Sequence, residues 1–260
     1  MSNPQMSKSG KLGFPFSPAG GEQNSHELSF VWWLLLPPGF FILRYAVSLF
    51  TDKTKGLESW FVGELGVVEN LTVVLLVMAL ILTVYVISRY GRLLQLAPKL
   101  FLVFYCLGCV YFAGEEASWG QHWFGWKTGE FFMAINDQGE TNFHNTSVAL
   151  DRLPKAIVSL AIFVGGIVFP LYLRRKALKI DCTKPFWWLF PTWICLPTAF
   201  IAIAATWPAK IERYTDTVFY FDGAQEIKEL YIAGFFLLFM VSLYRRLRYY
   251  QASATKFSPQ

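Results

Sequence analysis

Residues 114–126 read GEEASWGQHWFGW, and residues 136–145 read NDQGETNFHN. The two stretches bring together the carboxylates of Glu115, Glu116 and Glu140, the imidazoles of His122 and His144, and several amides. Such a set suits two kinds of chemistry. Carboxylate oxygens and imidazole nitrogens are donors for divalent metals. On that reading Glu116, His122, Glu140 and His144 are the expected ligands of Zn, Mn or Fe. Without a metal, the same groups suit acid–base work, with one carboxyl held protonated by burial and a like-charged neighbour. In either case Glu115, Glu116, His122, Glu140 and His144 are the candidate catalytic groups. Glu69, Asn70, Gln121, Asn142, Asn145 and Glu229 are expected around them, holding a cofactor or substrate.

Spacing refines the picture. If one helix continued through the first motif, Glu115, Ser118 and His122 would share a face at i, i+3 and i+7. Glu116 would then lie on a neighbouring stripe with Gly120 and Trp123. Glu140 and His144 are i, i+4 and meet if their segment is helical. Simpler roles stand beside these. Glu115 and Glu116 also suit interface acids with wet head groups, or buried groups bonding across helices. Glu69 and Asn70 also suit a helix start, through capping and the helix dipole. Ser118 has no clear histidine–carboxylate arrangement that would make it a nucleophile.

The elements that must position these residues are membrane spans. Of the 260 residues, 54% are hydrophobic, 18% aromatic and only 16% charged, and the mean hydropathy is +0.37. A soluble domain carries about 25% charged residues. Six apolar segments, near 29–50, 66–89, 98–118, 154–173, 186–206 and 224–244, are each long enough to cross about 30 Å of hydrocarbon. The expected fold is therefore all-α, a polytopic membrane helix bundle. Pro37 and Pro38 predict a kink in the first span. Residues 1–27 are polar and expected to be mobile, residues 28–248 form the membrane domain, and residues 249–260 form a C-terminal tail.

Charge sets the expected orientation. With both termini cytoplasmic, 14 of the 23 basic residues fall on the cytoplasmic side and 8 on the other, with Arg44 inside a span. That is the positive-inside bias. It places the long 119–153 connection, and most of the acids, on the outer side. Within that connection TGEFFMAINDQG predicts a short interfacial helix, with Thr128 as cap, Phe131, Phe132 and Ile135 as its apolar face and Gly139 as its stop. The net charge of +5 arises from basic clusters beside spans, so no nucleic-acid partner is expected. Cys106 and Cys109 form a C-x-x-C spacing inside an apolar run without a second pair, which suits packing better than redox or metal work.

Three of these stretches also carry a resemblance. GEE-x-SWGQ at 114–121, FGW at 124–126 and N-x-QGETN-x-HN at 136–145 resemble a pattern in bacterial multi-pass inner-membrane proteins. The resemblance implies that location and assigns no reaction. A looser similarity joins Glu115–Glu116 to the CAAX-protease-like intramembrane peptidases, which pair two glutamates with histidines on other helices. This chain departs from them at Gly120, where they carry arginine, and at Val148, four residues after His144. The similarity implies only how paired glutamates and histidines activate water. The expectation is a periplasm-facing polar site acting on membrane lipid or a lipid-linked substrate, by hydrolysis or group transfer. A non-enzymatic accessory or assembly subunit is the alternative, and a transporter a third.

Overall fold

The computed structural model describes residues 28–50, 61, 66–136, 139–143, 146–176, 188–212, 214–215 and 223–256. The polar segment 1–27, His144 and Asn145 lie outside the described residues. The described chain is helical, without strands, and six of its helical stretches are long and apolar enough to cross a membrane. The expected helical membrane bundle is what forms.

The first span opens with a π-turn, Val31–Leu35, and continues as α1, Leu36–Phe50. Pro37 and Pro38 sit in the first turn of α1. The helix is already under way where they lack an N–H and their rings crowd the preceding turn, and a wide turn just ahead of the prolines stands in place of the expected kink. Helix α2, Val67–Tyr90, has 24 residues, about 36 Å at 1.5 Å per residue. Helix α3, Leu96–Glu116, returns. Two short helices follow, α4 (Gln121–Phe124) and α5 (Glu130–Ile135). The fourth span is α6 (Val148–Ile162), a π-segment (Phe163–Val168) and α7 (Phe169–Arg175). The fifth is α8 (Leu196–Ala204) and α9 (Trp207–Glu212). The sixth, α10, runs from Ala224 to Lys256, so residues 249–256 extend the helix past the expected tail boundary.

The fifth span starts later than its apolar run suggests, at Trp193 rather than near residue 186. Trp188 is fully buried. Arg246 of α10 donates to the carbonyls of Trp188 and Phe190 at 3.4 and 3.2 Å. Those carbonyls are held by a guanidinium, and the chain enters the helix only after Pro191.

Helix α10 is the centre of the bundle. It packs against α2, α8 and α6, and α2 also packs against α3. Ile227, Ile232, Met240, Leu243 and Leu247 are its buried face. Lipid tails are as apolar as leucine, so packing and interhelical hydrogen bonds must hold such helices together. The Tyr105 hydroxyl donates to the Phe236 carbonyl at 2.7 Å, joining α3 to α10. The Tyr231 hydroxyl donates to the Pro37 carbonyl, joining α10 to α1. The outer surface of α2 and α3 remains apolar, with Ile81, Phe104 and Leu107 exposed, as a lipid-facing surface requires.

Close approach occurs at Gly166. A Cβ there would lie 2.6 Å from the Phe235 ring and 2.8 Å from the Ala199 Cβ. Gly166→Ala is therefore expected to destabilise the bundle by about 1–3 kcal/mol through overpacking. Thermal unfolding of the purified protein in detergent would report this as a lower midpoint.

Candidate functional site

Helix α3 does not continue through the first motif. It ends at Glu116, and Ser118, Trp119 and Gly120 all take positive φ, at 44°, 54° and 99°. Two of the three carry side chains, for which this region is costly. The expected shared face of Glu115, Ser118 and His122 at i, i+3 and i+7 therefore does not exist. What holds the turn is local. The Trp119 indole folds back over Gly114, where a Cβ would lie 2.9 Å from the ring. Its Nε1–H donates to Glu115 Oε1 at 2.9 Å. Gly120 faces Trp126, 2.9 Å from where its own Cβ would be, and Trp126 stacks on Phe124 with ring centroids 5.7 Å apart. The glycines and tryptophans of the motif thus form one folded unit that reverses the chain into α4.

The second motif closes on this turn as a strap. Its described residues 139–143 are non-helical, so the helical condition on the Glu140–His144 spacing is not met there. The expected helix from Thr128 to Gly139 shortens to α5, with Gly129 rather than Thr128 at its N-cap. The Thr128 hydroxyl instead donates to the Gly139 carbonyl and accepts from Gln121 Nε2 at 2.8 Å. Gln121 Oε1 accepts the Thr141 N–H at 2.7 Å, and Glu115 Oε2 accepts the Phe143 N–H at 2.8 Å. Glu140 lies at the middle. Its Oε2 accepts from Ser118 Oγ at 3.1 Å and from Asn142 Nδ2. Its Oε1 stands 3.3 Å from His122 Nε2. Asn136 ties the strap to the end of α5, donating to Asn142 Oδ1 at 2.8 Å and accepting the Glu140 N–H at 3.2 Å. Ser118 and Asn142 have no exposed surface, and Glu115 and Glu140 are buried. The carboxylate, not the imidazole, accepts from the Ser118 hydroxyl.

Glu116 belongs to a different set. Adjacent residues on a helix point about 100° apart, and Glu116 faces the bundle while Glu115 faces the strap. Its charged neighbours are Glu229 and Glu226 of α10, Lys155 of α6 and Glu69 of α2. Lys155 Nζ pairs with Glu229 Oε1 at 2.8 Å. Glu69 and Glu226 lie in the first turns of their helices, where the dipole favours a carboxylate. Glu116 itself is half-buried. Asn70 joins the start of α2 to α4: its Nδ2 donates to the Gly66 carbonyl at 3.0 Å and its Oδ1 accepts from Trp123 Nε1 at 2.9 Å.

The single cluster expected from the sequence is therefore two. Glu115, Gln121, His122, Glu140 and Asn142 form the strap; Glu116, Glu69 and Glu229 form the inter-helix set. Among the described residues no three His, Cys, Asp or Glu side chains are grouped to hold a metal ion. Of the expected ligands, His122 and Glu140 meet at 3.3 Å, Glu116 faces the other set, and His144 lies outside the described residues. Sequence reasoning missed Lys155, Asn136 and Thr128 as site members. An ionisable residue just inside a span is itself a signal, and Lys155 directly follows Pro154 at such a place. No family model, curated protein or solved structure matches the chain.

Proposed function

We propose that this integral membrane protein is an enzyme of the bacterial inner membrane, acting at its periplasmic end on a lipid or lipid-linked substrate by hydrolysis or group transfer. The observation that carries the reading is the position of Glu116. It is half-buried and faces carboxylates and a lysine from three other helices, whereas its neighbour Glu115 is bonded into the strap. Carboxylates grouped around one lysine can relay a proton among themselves, as general acid–base catalysis needs. Glu116 would take the proton from the attacking water or acceptor hydroxyl and return it to the leaving oxygen. The Lys155 ammonium would stabilise negative charge developing on the substrate. A substrate carrying an acyl chain reaches this end of the bundle from the leaflet without leaving lipid.

The runner-up is an accessory subunit that catalyses nothing. It is favoured by the strap, whose polar groups bond to one another, and by the exposure of Trp123, Phe124 and Phe131 beside it. The two readings separate in one comparison. Total lipid extracts from cells carrying wild-type protein or Glu116→Gln, at matched membrane levels, are profiled by mass spectrometry. An accumulating lipid precursor in the variant supports the enzyme. Unchanged profiles, with a lost co-purifying protein, support the subunit. Elemental analysis of the purified protein for Zn, Mn and Fe tests whether a divalent metal takes part.

A further inference from the structure

The fifth span ends in α9, at the bundle end where the chain turns back into α10. An open cavity of about 320 Å³ lies there, lined by Trp207, Lys210, Ile211, Tyr214 and Thr215. Its walls are almost wholly carbon. The Thr215 hydroxyl is turned back on the Ile211 carbonyl at 3.0 Å, which removes it from the trough. Trp207 is steadied by an edge-on contact with Phe200, ring centroids 6.1 Å apart. The aromatic groups are nevertheless open to the surroundings, with Trp207 47% and Tyr214 85% exposed. Lys210 is also exposed and makes no ion pair with a described residue.

An apolar trough with the Lys210 ammonium on its lip matches an amphiphile with a negative head group. Tryptophan and tyrosine are favoured where headgroups meet hydrocarbon, and the trough lies at the end of a membrane span. We propose that this trough is a binding site for an anionic phospholipid, with one acyl chain along Trp207 and Ile211 and the phosphate on Lys210. Free phosphate has no use for the carbon walls. A zwitterionic lipid carries its own cation and gains less from Lys210. The site does not depend on the acid–base reading of Glu116.

The full chain is reconstituted in bilayers containing a minor fraction of phosphatidylglycerol or phosphatidylcholine with brominated acyl chains, which quench nearby indoles. Subtracting the quenching of Trp207→Phe isolates the signal of Trp207. We expect brominated phosphatidylglycerol to act at about fivefold lower mole fraction than brominated phosphatidylcholine, the ratio that one lysine near a phosphate supports. Lys210→Gln removes the difference and leaves quenching by phosphatidylcholine in place. Equal quenching by both lipids in the wild type would overturn the proposal, because the trough would then be ordinary lipid-facing surface. Absence of quenching by either lipid would overturn it as well, placing something other than lipid over Trp207. A preference that survives in Lys210→Gln would also overturn it.

Discussion

Glu116→Gln is expected to remove lipid turnover while the protein still folds, and Glu115→Gln to do the reverse. The substitutions are adjacent, isosteric and identical in charge change, so any difference comes from what each side chain touches. Glu116 faces charge on three other helices. Neutralising it deletes a proton acceptor without removing a described hydrogen bond that holds the fold. A positioned acid or base contributes about 10²–10⁴-fold to rate, and a loss of that size in lipid conversion by purified protein or isolated membranes is the expected result. Melting temperature should stay near that of the wild type. Glu115 accepts two N–H donors, one on each carboxylate oxygen. A glutamine offers one oxygen, so one donor meets an amide –NH₂ instead. Leaving a buried donor unsatisfied costs about 1–3 kcal/mol, visible as a lower midpoint of thermal unfolding with turnover retained below it. If both variants keep full turnover, the acid–base reading is wrong.

The contrast between these two residues also shows where the sequence was legible. Hydropathy and length place all six spans, because a lipid-exposed backbone has only the helix to satisfy it locally. The ends are harder. The apolar run FWWLF at 186–190 reads as span, but Arg246, 56 residues away from Phe190, holds the Trp188 and Phe190 carbonyls, and the described span starts at Trp193. No local pattern contains that partner. The GEE-x-SWGQ and QGETN-x-HN motifs, both rich in polar groups, meet in the structure. Their division into two sets was not legible, because helical periodicity was extended past Glu116. Ser118 and Trp119 carry ordinary side chains at positive φ. Only the packing of Trp119 on Gly114 and the bonds to the strap make that turn affordable. Residue type announces a glycine turn; it does not announce one taken by serine and tryptophan.

The strap itself should open when its central carboxylate is removed, and the opening should be local. Glu140→Ala deletes the acceptor for Ser118, Asn142 and His122 together. Leaving a buried donor without its acceptor costs about 1–3 kcal/mol, and Ser118 and Asn142 both lose theirs. That loss falls on residues 139–143, since α10 packs on α2, α8 and α6 through apolar faces that the strap does not join. The Thr141 and Phe143 amides are the reporters, because their N–H groups donate to Gln121 and Glu115 side chains rather than to a helix. Hydrogen exchange at these two positions should accelerate by about 10²–10³-fold in Glu140→Ala if local opening governs exchange. Amides in the middle of α2 and α10 should keep wild-type rates. Asn142→Ala also removes three hydrogen bonds, to Glu140, Ser118 and Asn136, but leaves the Glu140 contacts to Ser118 and His122 in place, and should give a smaller acceleration. Because Asn142 and Glu140 are in direct contact, the double variant should fall short of the sum of the two. Equal acceleration throughout the bundle would mean that the strap is part of the global fold rather than a separately closing element. That outcome would also explain any loss of lipid turnover in Glu140→Ala without assigning Glu140 a catalytic role. Turnover lost in step with opening of the strap, at unchanged exchange in α2 and α10, would instead tie turnover to closure of the strap.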